Sequence, residues 1–162
     1  MGEIRRIEAP LQARGKRFAI VAARFNSRIV DLLVGGAVDC LIRHGAATED
    51  VELVRVPGAW ELPLALEELA RTERFAALVA LAVVIRGETP HFDYVCGECV
   101  RGVGRVGAQY RIPVGFGVLT CDDSGQAEER AGGKAGNKGW EAALAAIEMA
   151  DLIAQLRGST SG

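Results

Sequence analysis

Val84-Ile85-Arg86-Gly87-Glu88-Thr89-Pro90-His91-Phe92-Asp93 (VIRGETPHFD) joins an apolar run to a long stretch with helical spacing. The run, Phe75 to Ile85, is rich in Ala, Val, Leu and Ile and does not alternate, the pattern of a strand buried on both faces. Thr89 then reads as a helix N-cap and Pro90 as the first helical residue, a place where proline loses no amide bond. The stretch is therefore a strand–loop–helix unit. Gly87 lets the backbone approach closely, and the free N–H groups of the helix start form a natural anion site. His91, in the first turn, can move protons near neutral pH beside that site. The same residues also fit a capped helix that merely carries an exposed histidine.

The pattern repeats outward in both directions. Upstream, Arg17 to Ala23 (RFAIVAA) predicts a buried strand, and Asn26 or Ser27 can cap the helix after it. Val30, Leu33, Val34, Ala37, Val38 and Leu41 give that helix one apolar face, with His44 at its C-terminus and Gly45 closing it. Gly35 and Gly36 in its middle cost up to ~1 kcal/mol each relative to Ala, which implies close packing against a neighbour. Val51 to Val56 predicts a second strand. Pro57-Gly58 breaks it, and Ala59-Trp60-Glu61 leads into a helix through about Glu73. Downstream, His91 to Tyr110 predicts a helix with Phe92, Val95, Cys99, Val103, Val106 and Tyr110 along one face. Its four glycines, Gly97, Gly102, Gly104 and Gly107, imply that it leans closely on another backbone. Pro113 to Thr120 (PVGFGVLT) is a fourth strand. Asp122 to Lys138 is polar and Gly-rich, with one short helix around Gln126 to Ala131. Asn137 caps a last amphipathic helix ending near Leu156.

Strands thus alternate with helices four times. The expected architecture is α/β: a three-layer domain whose four-stranded parallel sheet carries helices on both faces, joined by right-handed crossovers. Residues 15–157 form the single domain, without internal repeat or linker. Residues 1–14 form a polar arm, or an edge strand through Ile4 and Ile7, and residues 158–162 a flexible tail.

The composition narrows the class of function. The chain has 162 residues, 49% hydrophobic and 25% charged, with a net charge of −2. It is long enough for one domain with a real core. The charge gives no global pull toward nucleic acid or anionic membrane, so any anion site must be local. The longest apolar run is about half of the ~20 residues a membrane helix needs. MGEIRRIEAP lacks an apolar signal core, and Arg6 stands where a myristoylation signal wants Ser or Thr. The expected location is cytoplasmic, with Cys40, Cys96, Cys99 and Cys121 reduced.

Three local motifs fail their contextual tests. Gly102-Val103-Gly104-Arg105-Val106-Gly107 matches G-x-G-x-x-G, but it lies late in a helix instead of between a strand and a helix start. Cys96-Gly97-Glu98-Cys99 begins a turn and a half inside a helix, away from the dipole that activates a redox thiol, and no second pair completes a zinc site. Arg130 to Gly139 (RAGGKAGNKG) is basic and Gly-rich without the G-x4-G-K-[ST] frame. It reads either as a phosphate-facing loop with Arg130 as bidentate donor or as a solvated turn.

Ligands of open parallel sheets bind beyond the carboxyl ends of the strands. Here those ends are Phe25-Asn26, Gly58 to Glu61, Arg86 to His91 and Thr120 to Asp122. One site could collect an aromatic ring, a carboxylate, an anion-binding loop and a histidine. Trp60 and Glu61 also suit an ordinary helix start, and Phe25 an ordinary rim position.

Taken in order, Phe25-Asn26, Gly36-Ala37, VPGAWELP (Val56 to Pro63), VIRGETPHFDYV (Val84 to Val95), PVGFGVLT (Pro113 to Thr120) and ERAGGKAGNKG (Glu129 to Gly139) resemble the 6,7-dimethyl-8-ribityllumazine synthase family. The resemblance spans Phe18 to about Leu156. It implies a flavodoxin-like sheet and a condensation that needs no cofactor and no metal. The substrates would be 5-amino-6-(D-ribitylamino)uracil and 3,4-dihydroxy-2-butanone 4-phosphate. By the same resemblance Phe25 stacks on the pyrimidine. Asn26, Val84 and Ile85 line the pyrimidine and ribityl site, while Ala59, Trp60 and Glu61 hold the ribityl chain. Gly87, Glu88, Thr89 and Arg130 hold phosphate, with Glu88 serving through its backbone and its side chain turned outward. His91 shuttles protons, and Lys138 helps bind the pyrimidine or phosphate region. The family's site lies between neighbouring subunits of a homopentamer or a multiple of it, and Phe116 enters from the neighbour. The arm pairs with a neighbouring subunit, and a functional link to riboflavin synthase follows. The alternatives are a lumazine- or flavin-binding relative with little turnover, and a flavodoxin-like redox module. The latter lacks a Gly- and hydroxyl-rich loop after the first strand.

Overall fold

A computed structural model describes residues 1–158 of the chain. Its sheet has four parallel strands in the order β2-β1-β3-β4: β1 Phe18–Ala23, β2 Val51–Val56, β3 Ala77–Ile85 and β4 Val114–Cys121. Helices α1 Ser27–Arg43 and α5 Lys138–Gly158 cover one face, with α4 Ser124–Arg130 at its edge. Helices α2 Leu62–Arg71 and α3 His91–Tyr110 cover the other. The three-layer α/β expectation holds.

The absence of alternation in β1 and β3 has a direct cause. Phe18, Ile20 and Ala22 face the α1/α5 core together with Val79, Leu81 and Val83. Ala19, Val21 and Ala23 face the α2/α3 core with Leu78, Ala80 and Ala82. Both sides of the central strands are dry, so apolar residues occupy consecutive positions. β2, at the sheet edge, is only half-buried. Register puts Ala23 opposite Val56 and Ile85 opposite Cys121, so all four strands end along one rim.

α1 ends as expected: His44 follows its last turn, Gly45 has φ 104°, and the Ala46 amide donates to the Leu41 carbonyl at 3.0 Å. Asn137 caps α5, its Oδ1 accepting from the amides of Gly139 and Trp140 at 2.9 and 3.1 Å.

Thr89 and Pro90 each sit one step further from the helix than expected. α3 begins at His91, Pro90 occupies the N-cap position, and the Thr89 hydroxyl stands 3.5 Å from the His91 amide, at the limit of a hydrogen bond. Asn26 precedes α1 in a left-handed conformation (φ 59°), and its side chain does not cap the helix. Gly36 packs tightly, but Gly35 faces open space. In α3 a methyl group on Gly102 would meet Pro63 of α2 at 2.5 Å, yet Gly104 is open, so the helix leans on its neighbour at one point, through a side chain. The arm carries no strand. Ala13 is buried and its amide donates to the His44 carbonyl at 2.9 Å, while Ile4 is exposed. Lys16 pairs with the buried Asp151 of α5, whose second oxygen accepts from the Gln12 amide at 3.0 Å. α5 runs through Arg157 to Gly158, so Gly158 is helical; the rest of the tail expected at 158–162 lies outside the described residues. A small hairpin, β5 Ala131–Gly133 with β6 Gly136–Asn137, follows α4.

Candidate functional site

The β1–α1 turn puts Phe25 on the rim. Its amide donates to the Pro57 carbonyl at 3.0 Å, which fixes the turn to the end of β2, and the ring is 74% exposed. Asn26 adopts the left-handed conformation that Asn tolerates better than most residues. Its Nδ2 donates to the Val83 carbonyl at 2.8 Å, tying the turn to β3.

After β2, a 3-10 turn at Ala59–Glu61 buries Ala59 and leaves Trp60 half-exposed. Glu61 Oε2 accepts from the Gly58 amide at 3.0 Å. Among the described residues its Oε1 meets no donor, which leaves it able to take hydroxyl hydrogens.

After β3, Arg86 through Pro90 form an exposed loop. The Arg86 amide is held by the Cys121 carbonyl at 2.8 Å. Among the described residues the amides of Gly87, Glu88 and Thr89 meet no acceptor. With the dipole of the twenty-residue α3 behind them, these donors suit an anion.

The three turns enclose one cavity of about 720 Å³. Its walls include Phe25, Asn26, Ala59, Trp60, Glu61, Val84, Ile85, Gly87, Thr89 and His91. The structure therefore brings together ten of the residues singled out in the sequence. Glu88 is exposed and does not line the cavity. Arg130, in the last turn of α4, donates Nη1 to the Gln126 carbonyl at 3.0 Å and lies close enough to Cys121 for its charge to act on that thiol. Lys138 pairs with Glu141 at 2.7 Å. Both stand outside the cavity wall. Phe116 does not line it either. It lines a separate apolar groove of about 730 Å³ with Val100, Gly104 and Met149.

A family model described as 6,7-dimethyl-8-ribityllumazine synthase matches residues 15–154. The chain belongs to the 6,7-dimethyl-8-ribityllumazine synthase family. It is 57% identical to the 6,7-dimethyl-8-ribityllumazine synthase of Aquifex aeolicus (strain VF5) over 150 residues, covering 93% of this chain and 97% of that one. The protein of the same name from Desulfatibacillum aliphaticivorans is 54% identical over 153 residues, 94% and 99% of the two chains. That from Nitratidesulfovibrio vulgaris (strain DSM 19637 / Miyazaki F) is 51% identical over 156 residues, 96% and 100%.

The cavity has one further wall that the sequence did not mark, Tyr94, 71% exposed, and Val95, expected on the apolar face of α3, lines it as well. Tyr94 lies three positions after His91, so it shares His91's side of α3, and that spacing was the available signal. The Cys96–Cys99 pair is not an activated one. All four cysteines are free, and burial pushes the thiols of both residues up, Cys99 to about 11. Among the described residues no cluster of three or more His, Cys, Asp or Glu side chains is arranged to hold a metal, and no helix is long and apolar enough to cross a membrane.

Proposed function

We propose that this cavity condenses 5-amino-6-(D-ribitylamino)uracil with 3,4-dihydroxy-2-butanone 4-phosphate to give 6,7-dimethyl-8-ribityllumazine, the step before riboflavin synthase in riboflavin biosynthesis. The observation that carries the reading is the loop Gly87–Thr89, whose amides meet no acceptor among the described residues and whose Gly87 and Thr89 line, with His91, a cavity walled by aromatic rings. The primary amine attacks the ketone and an imine forms with loss of water. Phosphate leaves, and the ring closes with loss of a second water. Departure of a dianion needs fixed donors aimed at its oxygens, which the loop amides supply and Arg130 completes. His91, whose imidazole can both take and give a proton, serves the transfers at the amine and the departing phosphate. Phe25 stacks on the planar pyrimidine, Ala59, Trp60 and Glu61 hold the ribityl chain with Glu61 accepting its hydroxyls, and Asn26, Val84 and Ile85 line the rest of the site. Lys138 would act after releasing Glu141.

The same proposal has the chain work in the cytoplasm as a homopentamer or a multiple of it. The apolar groove around Phe116 supports this, since an exposed apolar patch of that kind suits burial against another copy. A neighbour seated there would carry its Phe116 to an adjoining cavity, and the exposed arm with Ile4 and Ile7 would pair with a neighbour as well.

The test is to mix purified protein with both substrates, without metal or nucleotide, and follow lumazine absorbance and fluorescence. Product above the uncatalysed rate supports the reaction. No rate, with tight binding of a lumazine or riboflavin, would make the chain a binding protein instead.

A further inference from the structure

Among the described residues the loop Gly87–Pro90 makes no main-chain hydrogen bond that would set its own shape, other than the Pro90 carbonyl's contacts into α3. Its shape must come from its two ends. Both ends are held by one side chain. The Arg86 Nε donates to Asp122 Oδ1 at 3.1 Å, just past β4. Its Nη1 stands 3.5 Å from Asp93 Oδ1, and its guanidinium carbon lies 4.4 Å from the centroid of the Phe92 ring. Phe92 is buried, so the stacked guanidinium rests on a fixed platform. One planar fork thus joins the end of β4, the exit of β3 and the first turn of α3, with the loop pinned between residue 86 and residues 92–93.

We propose that Arg86 is a positioning residue for the phosphate-binding loop: it clamps the loop in the shape that presents the amides of Gly87, Glu88 and Thr89 to the phosphate of the second substrate. The inference rests on the reaction proposed above only for the identity of that substrate. Arg86 is half-exposed, and so are its carboxylate partners. Exposed ion pairs contribute little to global stability. Losing the clamp should therefore show in the loop and not in the melting temperature. A lysine keeps the charge but has neither the fork nor the flat face.

The experiment measures inorganic phosphate binding by calorimetry, with steady-state kinetics beside it, for wild type, Arg86→Met, Arg86→Lys, Asp122→Asn and the Arg86→Met/Asp122→Asn pair. A displacement of about 1 Å in a positioned group can weaken its interactions by one to two orders of magnitude. The expected result is phosphate binding weakened about tenfold in Arg86→Met. KM for the phosphate-bearing substrate should rise with it, with KM for the pyrimidine and the melting temperature unchanged. Arg86→Lys should not rescue, and the paired variant should be no worse than Arg86→Met. Rescue by lysine would mean that charge alone matters, and additive losses would mean that Arg86 and Asp122 act separately; either overturns the proposal, as does unchanged phosphate binding. A wild type that binds phosphate but forms no lumazine would sink the reaction and leave the clamp standing.

Discussion

His91 is where the chemistry is most exposed to test. His91→Ala should lower kcat about a hundredfold or more while substrate binding changes little, because the group is asked to move protons and not to hold a substrate. Arg130→Ala should do the reverse. Losing a charge-assisted donor to phosphate should raise KM for the phosphate substrate on the order of tenfold. If steady-state kinetics show the two effects exchanged, the roles are misassigned. Buried thiols make a separate prediction. Burial lifts Cys40 and Cys99 from the ordinary 9.0 to about 11, with Asp39 and Cys96 adding to it. The unfolded chain ionises these thiols at the ordinary value and the folded chain resists. The stability they contribute is complete below about pH 9 and is lost as the pH rises through about 11. Thermal melts from pH 8 to 11 should show a falling Tm, with a shallower fall in the Cys40→Ala/Cys99→Ala variant; parallel slopes would contradict it. At this scale most of the cavity wall was legible, because residues following the strands of a parallel sheet converge. Arg86 was not. Asp122 meets it only through the β3–β4 pairing, and nothing in Val84 to Asp93 announces a side chain that closes back across its own loop onto Asp93.

α1 shows how adjacent identical residues can differ in what they do. A methyl group on Gly35 meets nothing within 4 Å, whereas one on Gly36 would stand 2.4 Å from Asn137 Oδ1. That amide cannot move aside cheaply. Its Oδ1 accepts from Gly139 and Trp140, and its Nδ2 donates to the Leu32 carbonyl at 3.1 Å. Gly35→Ala should stabilise by about 0.4–1 kcal/mol through the unfolded chain, and Gly36→Ala should destabilise by about 1–3 kcal/mol by displacing the α5 cap. Denaturant midpoints of the two variants would decide it, and a common sign would refute the account. The sequence predicted close packing for both glycines; spacing along a helix cannot say which of two neighbours faces the partner. The β5–β6 hairpin was illegible for another reason. Five of the seven residues from Ala131 to Asn137 are Gly or Ala, which carry no pattern for a strand to show. Asn26 misled because its best partner, the Val83 carbonyl, lies on a strand 57 positions away and outcompetes the local cap.

For the whole molecule, alternation of strand and helix was enough to give a three-layer parallel sheet, since non-alternating apolar runs have few other places to go. The order β2-β1-β3-β4 was not available, because no residue pattern names a strand's neighbour. Phe116 belongs to this scale. If neighbouring copies complete the site, Phe116→Asp should shift the sedimentation profile to smaller species and remove activity together, whereas loss of activity in an intact assembly would make its role local. Asp151 also acts over long range. Buried and paired with Lys16, it should cost on the order of 3 kcal/mol when replaced by Ala, because the ammonium is left partly desolvated without its partner. Lys16 and the Gln12 amide meet α5 within its last two turns, and the Glu8 carbonyl accepts from Gln155 at 3.2 Å. The start of the domain and the end of α5 therefore lie side by side. A short linker could join them, and the chain could be reopened at the exposed Gly-rich tip of the β5–β6 hairpin. Such a rewired polypeptide should rebuild the same cavity from a different starting residue, because nothing in the wall depends on where the chain begins.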